Sequence, residues 1–257
     1  MIEHSDAGGV TVLGLAHGKA HALDLELCLA LTGELEALAE SRAPAVLTGA
    51  GSIFSAGVDL VRLLREPVDY TPGFLQALTG CFLTLFDHPA PVVAAINGHA
   101  VAGGCILALA CDRRVAAEGD YGIGIPELRV GVPFPVIALE IVRDAAPGGH
   151  FRDDLVYQGE VVPPAEALAR GLVDELVPAG ELLGRAIAAA RRLGSIPRTS
   201  FATTKRALRA PALERYRLAA PAADAEIVEA WCAPEVRDAV AAHVERTLGK
   251  RGGSADR

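Results

Sequence analysis

The chain of 257 residues has no excess of positive charge: 24 Lys and Arg stand against 32 Asp and Glu, a formal net charge of -8. That balance excludes a general nucleic-acid binder, which needs a basic field to hold phosphates, while a local Lys/Arg pocket for a phosphorylated ligand stays open. Long apolar runs are also missing. The longest, from Val101 to Ala110, is far too short to cross a bilayer, so no membrane span is expected. The five cysteines, Cys28, Cys81, Cys105, Cys111 and Cys232, are odd in number and lack metal-type clustering. They read as reduced structural thiols, and no metal site is expected. The start, MIEHSDAGG, lacks a basic-then-apolar signal pattern, which makes the cytoplasm the expected location. No Gly/Ser-rich or charged linker divides the chain.

What is present is an ordinary globular balance, 51% hydrophobic and 22% charged, in an Ala-rich sequence that favours helix. Apolar periodicity predicts strands over 10–16, 45–48 and 92–96, and helices over 23–39, 58–65 and 71–86, the last stopped by Pro89 and Pro91. Gly98 to Gly104 reads as a turn that opens a buried helix over 105–111. Short strands are expected over 113–117 and 121–125, then a helix over 166–171 and a strand over 172–177. From Pro197 the sequence turns helical, with Pro211, Pro221 and Pro234 as boundaries and Val236, Val240, Val244 and Leu248 as one apolar stripe. The expected organisation is a main core over 1–196 and a helical segment over 197–257 ending in a disordered GGSADR tail.

Two glycine motifs fail as nucleotide signatures. In Gly98-x-x-x-x-Gly103-Gly104 the Lys-Ser/Thr of a phosphate loop is replaced by Gly104-Cys105. Gly122-x-Gly124 runs into Ile125-Pro126-Glu127 instead of opening a helix with a third glycine. A glycine turn feeding a buried helix instead presents unsatisfied N–H groups and the positive end of the helix dipole, which makes Gly103 N–H a candidate oxyanion donor. Ser55-Ala56-Gly57-Val58-Asp59 offers a second such turn, because Gly57 can take backbone angles closed to other residues and direct the next amide inward. Two amides converging on one oxygen would stabilise an enolate. Asp59 reads first as a cap of the following helix.

These motifs, Phe54-Ser55-Ala56-Gly57-Val58-Asp59-Leu60, Asn97-Gly98-His99-Ala100-Val101-Ala102-Gly103-Gly104-Cys105, Cys111-Asp112 and Pro126-Glu127-Leu128-Arg129-Val130-Gly131, together resemble the enoyl-CoA hydratase/isomerase, or crotonase, superfamily. The resemblance implies an α/β fold, a ββα spiral core with a helical C-terminal oligomerisation segment, assembled as a homo-trimer or dimer of trimers. It implies an acyl-CoA thioester substrate, no separate cofactor, and an oxyanion hole from the backbone N–H groups of Val58 and Gly103. It also puts Ala22, Ala56 and Leu60 near the CoA moiety.

Hydratases of that family carry two glutamates. Here the first position is Ile106 and the second is Glu127, and Ile106 can neither orient water nor exchange a proton. The segment from Ala102 to Leu109 is similar to the 3,2-trans-enoyl-CoA isomerase branch, where an aliphatic residue stands at the first position. The expected catalyst is Glu127 alone, shuttling a proton from the α-carbon to the γ-carbon of a 3-enoyl-CoA, with Ile106, Val132 and Phe134 lining the substrate pocket and desolvating the carboxylate. Alternatives left open are hydration or thioester hydrolysis using a second acid from Asp59, Glu66 or Asp69, and a non-catalytic acyl-CoA-binding protein. His17, His21 and His99 are secondary candidates for a base. Phe74, Leu75, Leu78, Phe82, Leu85 and Phe86 read as core.

Overall fold

The structure, a computed structural model, describes residues 1–146 and 148–252, with side chains to residue 247. The chain opens with β1 (Ile2–Asp6) and β2 (Thr11–Leu15), an antiparallel pair, followed by α1 (Leu25–Ser41), which Asp24 caps by accepting from Leu27 N at 2.8 Å. Three passes then repeat one plan. The first is β3 (Ala45–Gly49), β4 (Ile53–Ser55), α2 (Leu60–Arg65) and α3 (Tyr70–Phe86). The second is β5 (Val92–Ile96), β6 (His99–Val101) and α4 (Gly103–Ala110); the third is β7 (Arg113–Ala117), β8 (Ile123–Gly124) and α5 (Glu127–Val130). After α6 (Val136–Ala145) and α7 (His150–Asp153) come β9 (Val161–Val162), α8 (Pro164–Ala169), β10 (Glu175–Val177) and α9 (Leu182–Gly194). Two long helices, α10 (Arg198–Cys232) and α11 (Pro234–Gly252), complete the fold.

Each pass puts its first strand in a six-stranded sheet of order β1-β2-β3-β5-β7-β10 and its second in a four-stranded sheet of order β4-β6-β8-β9. Within both sheets the pairs from successive passes are parallel, so the chain advances as a ββα spiral. Parallel strands buried on both faces explain the near-continuous apolar reading of Val92–Ile96, every residue of which is buried. Asn97 fixes the corner between the sheets: its Oδ1 accepts from Gly49 N at 3.1 Å, and its Nδ2 donates to Gly51 O and Ile53 O.

The C-terminal helices lie on this core through buried charge. Asp112 accepts from Val92 N (2.8 Å) and Lys205 Nζ (2.8 Å) and forms an ion pair with Arg209 (3.0 Å), while Arg209 also donates to Phe86 O. Glu140 on α6 accepts from Arg215 on α10 at 2.7 Å and from Arg143 at 2.5 Å.

Several sequence expectations need correction. Pro211 and Pro221 do not end helices; both lie inside α10. An internal proline removes one helical hydrogen bond and clashes with the preceding turn, at about 3 kcal/mol, and the anchors at Lys205, Arg209 and Arg215 hold the helix on either side of Pro211. Pro234 does start α11. The turn expected over 98–104 contains β6, and the strands expected over 121–125 and 172–177 contract to Ile123–Gly124 and Glu175–Val177. The expected helix over 58–65 begins at Leu60, because Asp59 accepts from Arg62 N at 2.9 Å as its N-cap. Helices α6 and α9 and strand β1 had no counterpart in the sequence reading. The six apolar residues of α3 are core as expected, and Leu78 and Phe82 also reach the site described below. In the stripe on α11, Val240 is fully buried and Val236 and Val244 pack on the core. The Leu248 side chain and the tail from residue 253 lie outside the described residues.

Candidate active site

The two glycine turns meet. Gly57 has φ +79°, and a Cβ there would fall 2.7 Å from Ala102 Cβ, 2.8 Å from Val101 O and 2.9 Å from Gly103 N, so only glycine lets the loop after β4 abut the start of α4. The Ser55 hydroxyl pins that loop by donating to His21 O (2.8 Å) and accepting from Gly57 N (3.2 Å). Across it, Ala102 caps α4 at φ +53°, a left-handed angle that a non-glycine residue adopts at a cost and that the surrounding packing enforces.

The pairing around the first turn leaves one amide over. Leu23 N donates to Gly57 O and Asp59 N donates to Leu23 O, so the intervening Val58 N–H faces away from that pairing. Gly103 is the first residue of α4, where a helical N–H has no intrahelical acceptor. Neither amide has a backbone acceptor among the described residues.

Both turns line one cavity of about 110 Å³. Ala56, Val58, Leu60, Gly103, Ile106, Glu127, Val132 and Phe134 all line it, which brings together every predicted site residue except one. The exception is Ala22, which sits half-buried next to the Leu23 pairing and does not line the cavity.

Glu127 is the first residue of α5, set after Pro126, and it is 9% exposed. Its Oε2 is buried without a hydrogen-bond partner among the described residues. Desolvation by the apolar walls pushes its pKa up to about 8, against a small opposing effect from its own backbone N–H. The Cys105 thiol is likewise pushed up to about 12, first by burial and then by the Glu127 charge, which makes it inert rather than nucleophilic.

The candidates for a second acid are elsewhere. Asp59 caps α2, Glu66 pairs with Arg62 at 3.4 Å, Asp69 precedes α3, and none of them lines the cavity. The secondary histidines are outside too: His17 pairs with Asp24 at 2.7 Å, His21 Nε2 bonds Ala50 O at 2.8 Å, and exposed His99 accepts from Gly122 N. Among the described residues no cluster of three or more His, Cys, Asp or Glu side chains could hold a metal ion.

Sequence reasoning missed Trp231 and His243, which close the cavity from α10 and α11. Trp231 is 2% exposed and donates to Pro133 O at 2.9 Å. Its being the only tryptophan, near the end of a long polar helix, was the available signal.

The profile of the family described as enoyl-CoA hydratase/isomerase matches residues 6–250. The chain belongs to the enoyl-CoA hydratase/isomerase family. Human mitochondrial enoyl-CoA delta isomerase 1 is 32% identical over 215 residues, covering 81% of this chain and 70% of that protein. The crystal structure of human mitochondrial delta3-delta2-enoyl-CoA isomerase superposes with a TM-score of 0.91 at 28% identity, covering 97% of this chain and 98% of that one. An enoyl-CoA hydratase from Mycobacterium ulcerans superposes with a TM-score of 0.80 at 26% identity, covering 88% of this chain and 98% of that one. The crotonase-type spiral and the resemblance to the isomerase branch are therefore borne out, and the family implies an acyl-CoA substrate. No described helix is long and apolar enough to cross a membrane.

Proposed function

We propose that the protein is a one-glutamate enoyl-CoA isomerase that converts a 3-enoyl-CoA into the conjugated 2-enoyl-CoA. The observation that carries this reading is Glu127, a buried carboxylate with an unpartnered oxygen in an apolar cavity whose wall has Ile106 where a hydratase has a second glutamate. The Glu127 carboxylate takes a proton from C2, the electrons of that C–H bond form a C1–C2 double bond conjugated with C3–C4, and the thioester C=O pair moves onto its oxygen. The dienolate formed between the two proton transfers carries its charge on the thioester oxygen, held by the N–H groups of Val58 and Gly103. Glu127 returns the proton to C4, where the C3–C4 pair takes it as the C1–C2 pair shifts to C2–C3 and the oxygen re-forms the carbonyl, so no atom is gained or lost. Ala56 and Leu60, with Ala22 beside them, flank the CoA arm. CoA is part of the substrate and no separate cofactor takes part. Leu208 and Leu218, exposed on α10, fit assembly as a homo-trimer or a dimer of trimers.

The test is a 3-enoyl-CoA assay followed by the absorbance of the conjugated thioester, with products identified by mass, beside Glu127→Gln. An equal-mass 2-enoyl product is expected, with turnover lowered about 10³-fold in the variant and a wild-type rate that rises with pH through about 8 as Glu127 ionises. A product heavier by one water would favour hydration, free CoA would favour thioester hydrolysis, and binding without turnover would leave a non-catalytic acyl-CoA-binding protein.

A further inference from the structure

Glu127 and His243 are the two titratable side chains on the wall of the cavity; the other lining side chains are aliphatic, aromatic or proline. His243 comes from α11, more than a hundred residues further along the chain. Its helix is fixed over the site at two points. Arg237 donates to Leu63 O (3.4 Å) and Leu64 O (3.3 Å) at the end of α2, and Ala239 packs on Gly131, which terminates α5, the helix that carries Glu127. His243 lies one turn beyond Ala239 on the same face of α11.

Exposure increases along this wall, from Trp231 at 2% to the half-buried His243, so the imidazole stands where the cavity meets solvent. Its ring nitrogens have no hydrogen-bond partner among the described residues, although Glu127 lines the same cavity and the Arg246 guanidinium acts on it from its own helix. Burial, then the Arg246 guanidinium, lowers its pKa, so at neutral pH the ring is uncharged and offers one donor and one acceptor. An aliphatic residue there would match the rest of the lining, which apart from Glu127 is aliphatic, aromatic or proline, without leaving a polar group unpaired. The polar ring is explained if the ligand supplies the partner.

In an acyl-CoA whose thioester oxygen lies on the Val58 and Gly103 amides, the segment leaving the cavity is the cysteamine end of the pantetheine arm, and its first polar group is a secondary amide. That amide presents one N–H and one C=O, the complement of a neutral imidazole. Resting on the acyl-CoA reading above, we propose that His243 is a substrate-binding residue that hydrogen-bonds the amide of the pantetheine arm next to the thioester, making α11 part of the binding site. Its contribution is to affinity; Glu127 remains the only group that moves a proton.

The experiment measures binding of hexanoyl-CoA, which cannot isomerise, by calorimetry, and kcat and KM with a 3-hexenoyl-CoA, for wild type, His243→Leu and His243→Gln, with thermal unfolding as the check on folding. His243→Leu is expected to weaken hexanoyl-CoA about tenfold and raise KM in parallel with kcat within twofold, while His243→Gln recovers most of the affinity. Hexanoyl-N-acetylcysteamine, which retains only this amide of the arm, should show the same ratio between the variants. Equal affinity of wild type and His243→Leu, failure of Gln to rescue, or a loss confined to kcat would overturn the proposal. Absence of any acyl-CoA binding to wild type would instead overturn the functional reading on which it rests.

Discussion

Asp112 and Glu127 are both carboxylates covered by C-terminal helices, the first under the start of α10 and the second under α11. Asp112 has a backbone N–H and two cationic side chains on it. Glu127 has a free buried oxygen and no counter-ion, and its pKa rises to about 8. In the first region every polar atom of the carboxylate is answered within the chain, which is how a buried charge holds two segments together. In the second the chain withholds the answer, and the carboxylate becomes a stronger base in a site with room for another molecule. The same functional group is therefore saturated within the chain or left open to a ligand according to what surrounds it.

The contrast is broken most sharply at Asp112. Asp112→Ala leaves Lys205 and Arg209 without their carboxylate and should cost about 3–5 kcal/mol in urea unfolding. Because Trp231 is the sole tryptophan and sits at the far end of α10, its fluorescence should report release of the helix in the same experiment. Unchanged stability would mean that the cluster anchors nothing.

A smaller effect of opposite sign is expected at Glu127. Its folded pKa of about 8 lies above the ordinary carboxylate value of 4.5, so the stability contributed by the bound proton is complete below 4.5 and is lost as pH rises through about 8. Glu127→Gln should remove that slope and leave the variant about 2 kcal/mol more stable than wild type above pH 8. Unfolding curves at pH 5 and pH 9 that differ equally for the two proteins would sink the claim of a destabilised carboxylate.

His88 gives the smallest effect and sharpens the comparison, since it is the one polar side chain near the Asp112 cluster with both ring nitrogens buried and unpartnered. Burial, then the Lys205 charge, lowers its pKa to about 4, so stability present above 6.5 is lost as pH falls through about 4. His88→Leu should gain about 1 kcal/mol at pH 5 and move acid unfolding to lower pH; an unmoved acid midpoint would assign the loss to other groups.

The site was more legible in the sequence than the architecture around it. Gly57, Gly103 and Glu127 stand in short local motifs whose chemistry depends on backbone conformation and neighbours, and those are written within a few residues. The small sheet was obscure because β8 and β9 have two residues each, too short for any period to register. Pro211 and Pro221 misled because local propensity is overridden by the anchors at Lys205, Arg209 and Arg215. Trp231 and His243 reach the cavity only through the docking of α10 and α11, a long-range packing outcome that leaves no local pattern. Asp112, legible as part of the family motif, proved to be an anchor rather than a reacting group.

The wall of the cavity begins at Ala56 and ends at His243, with Trp231 between. During synthesis the glycine turns and Glu127 can emerge and fold well before the residues that close over them. The enclosed cavity therefore exists only once nearly all of this sequence has been translated and α10 and α11 have docked. A chain interrupted before Trp231 would carry Glu127 and both turn amides in an open trough, exposed to water.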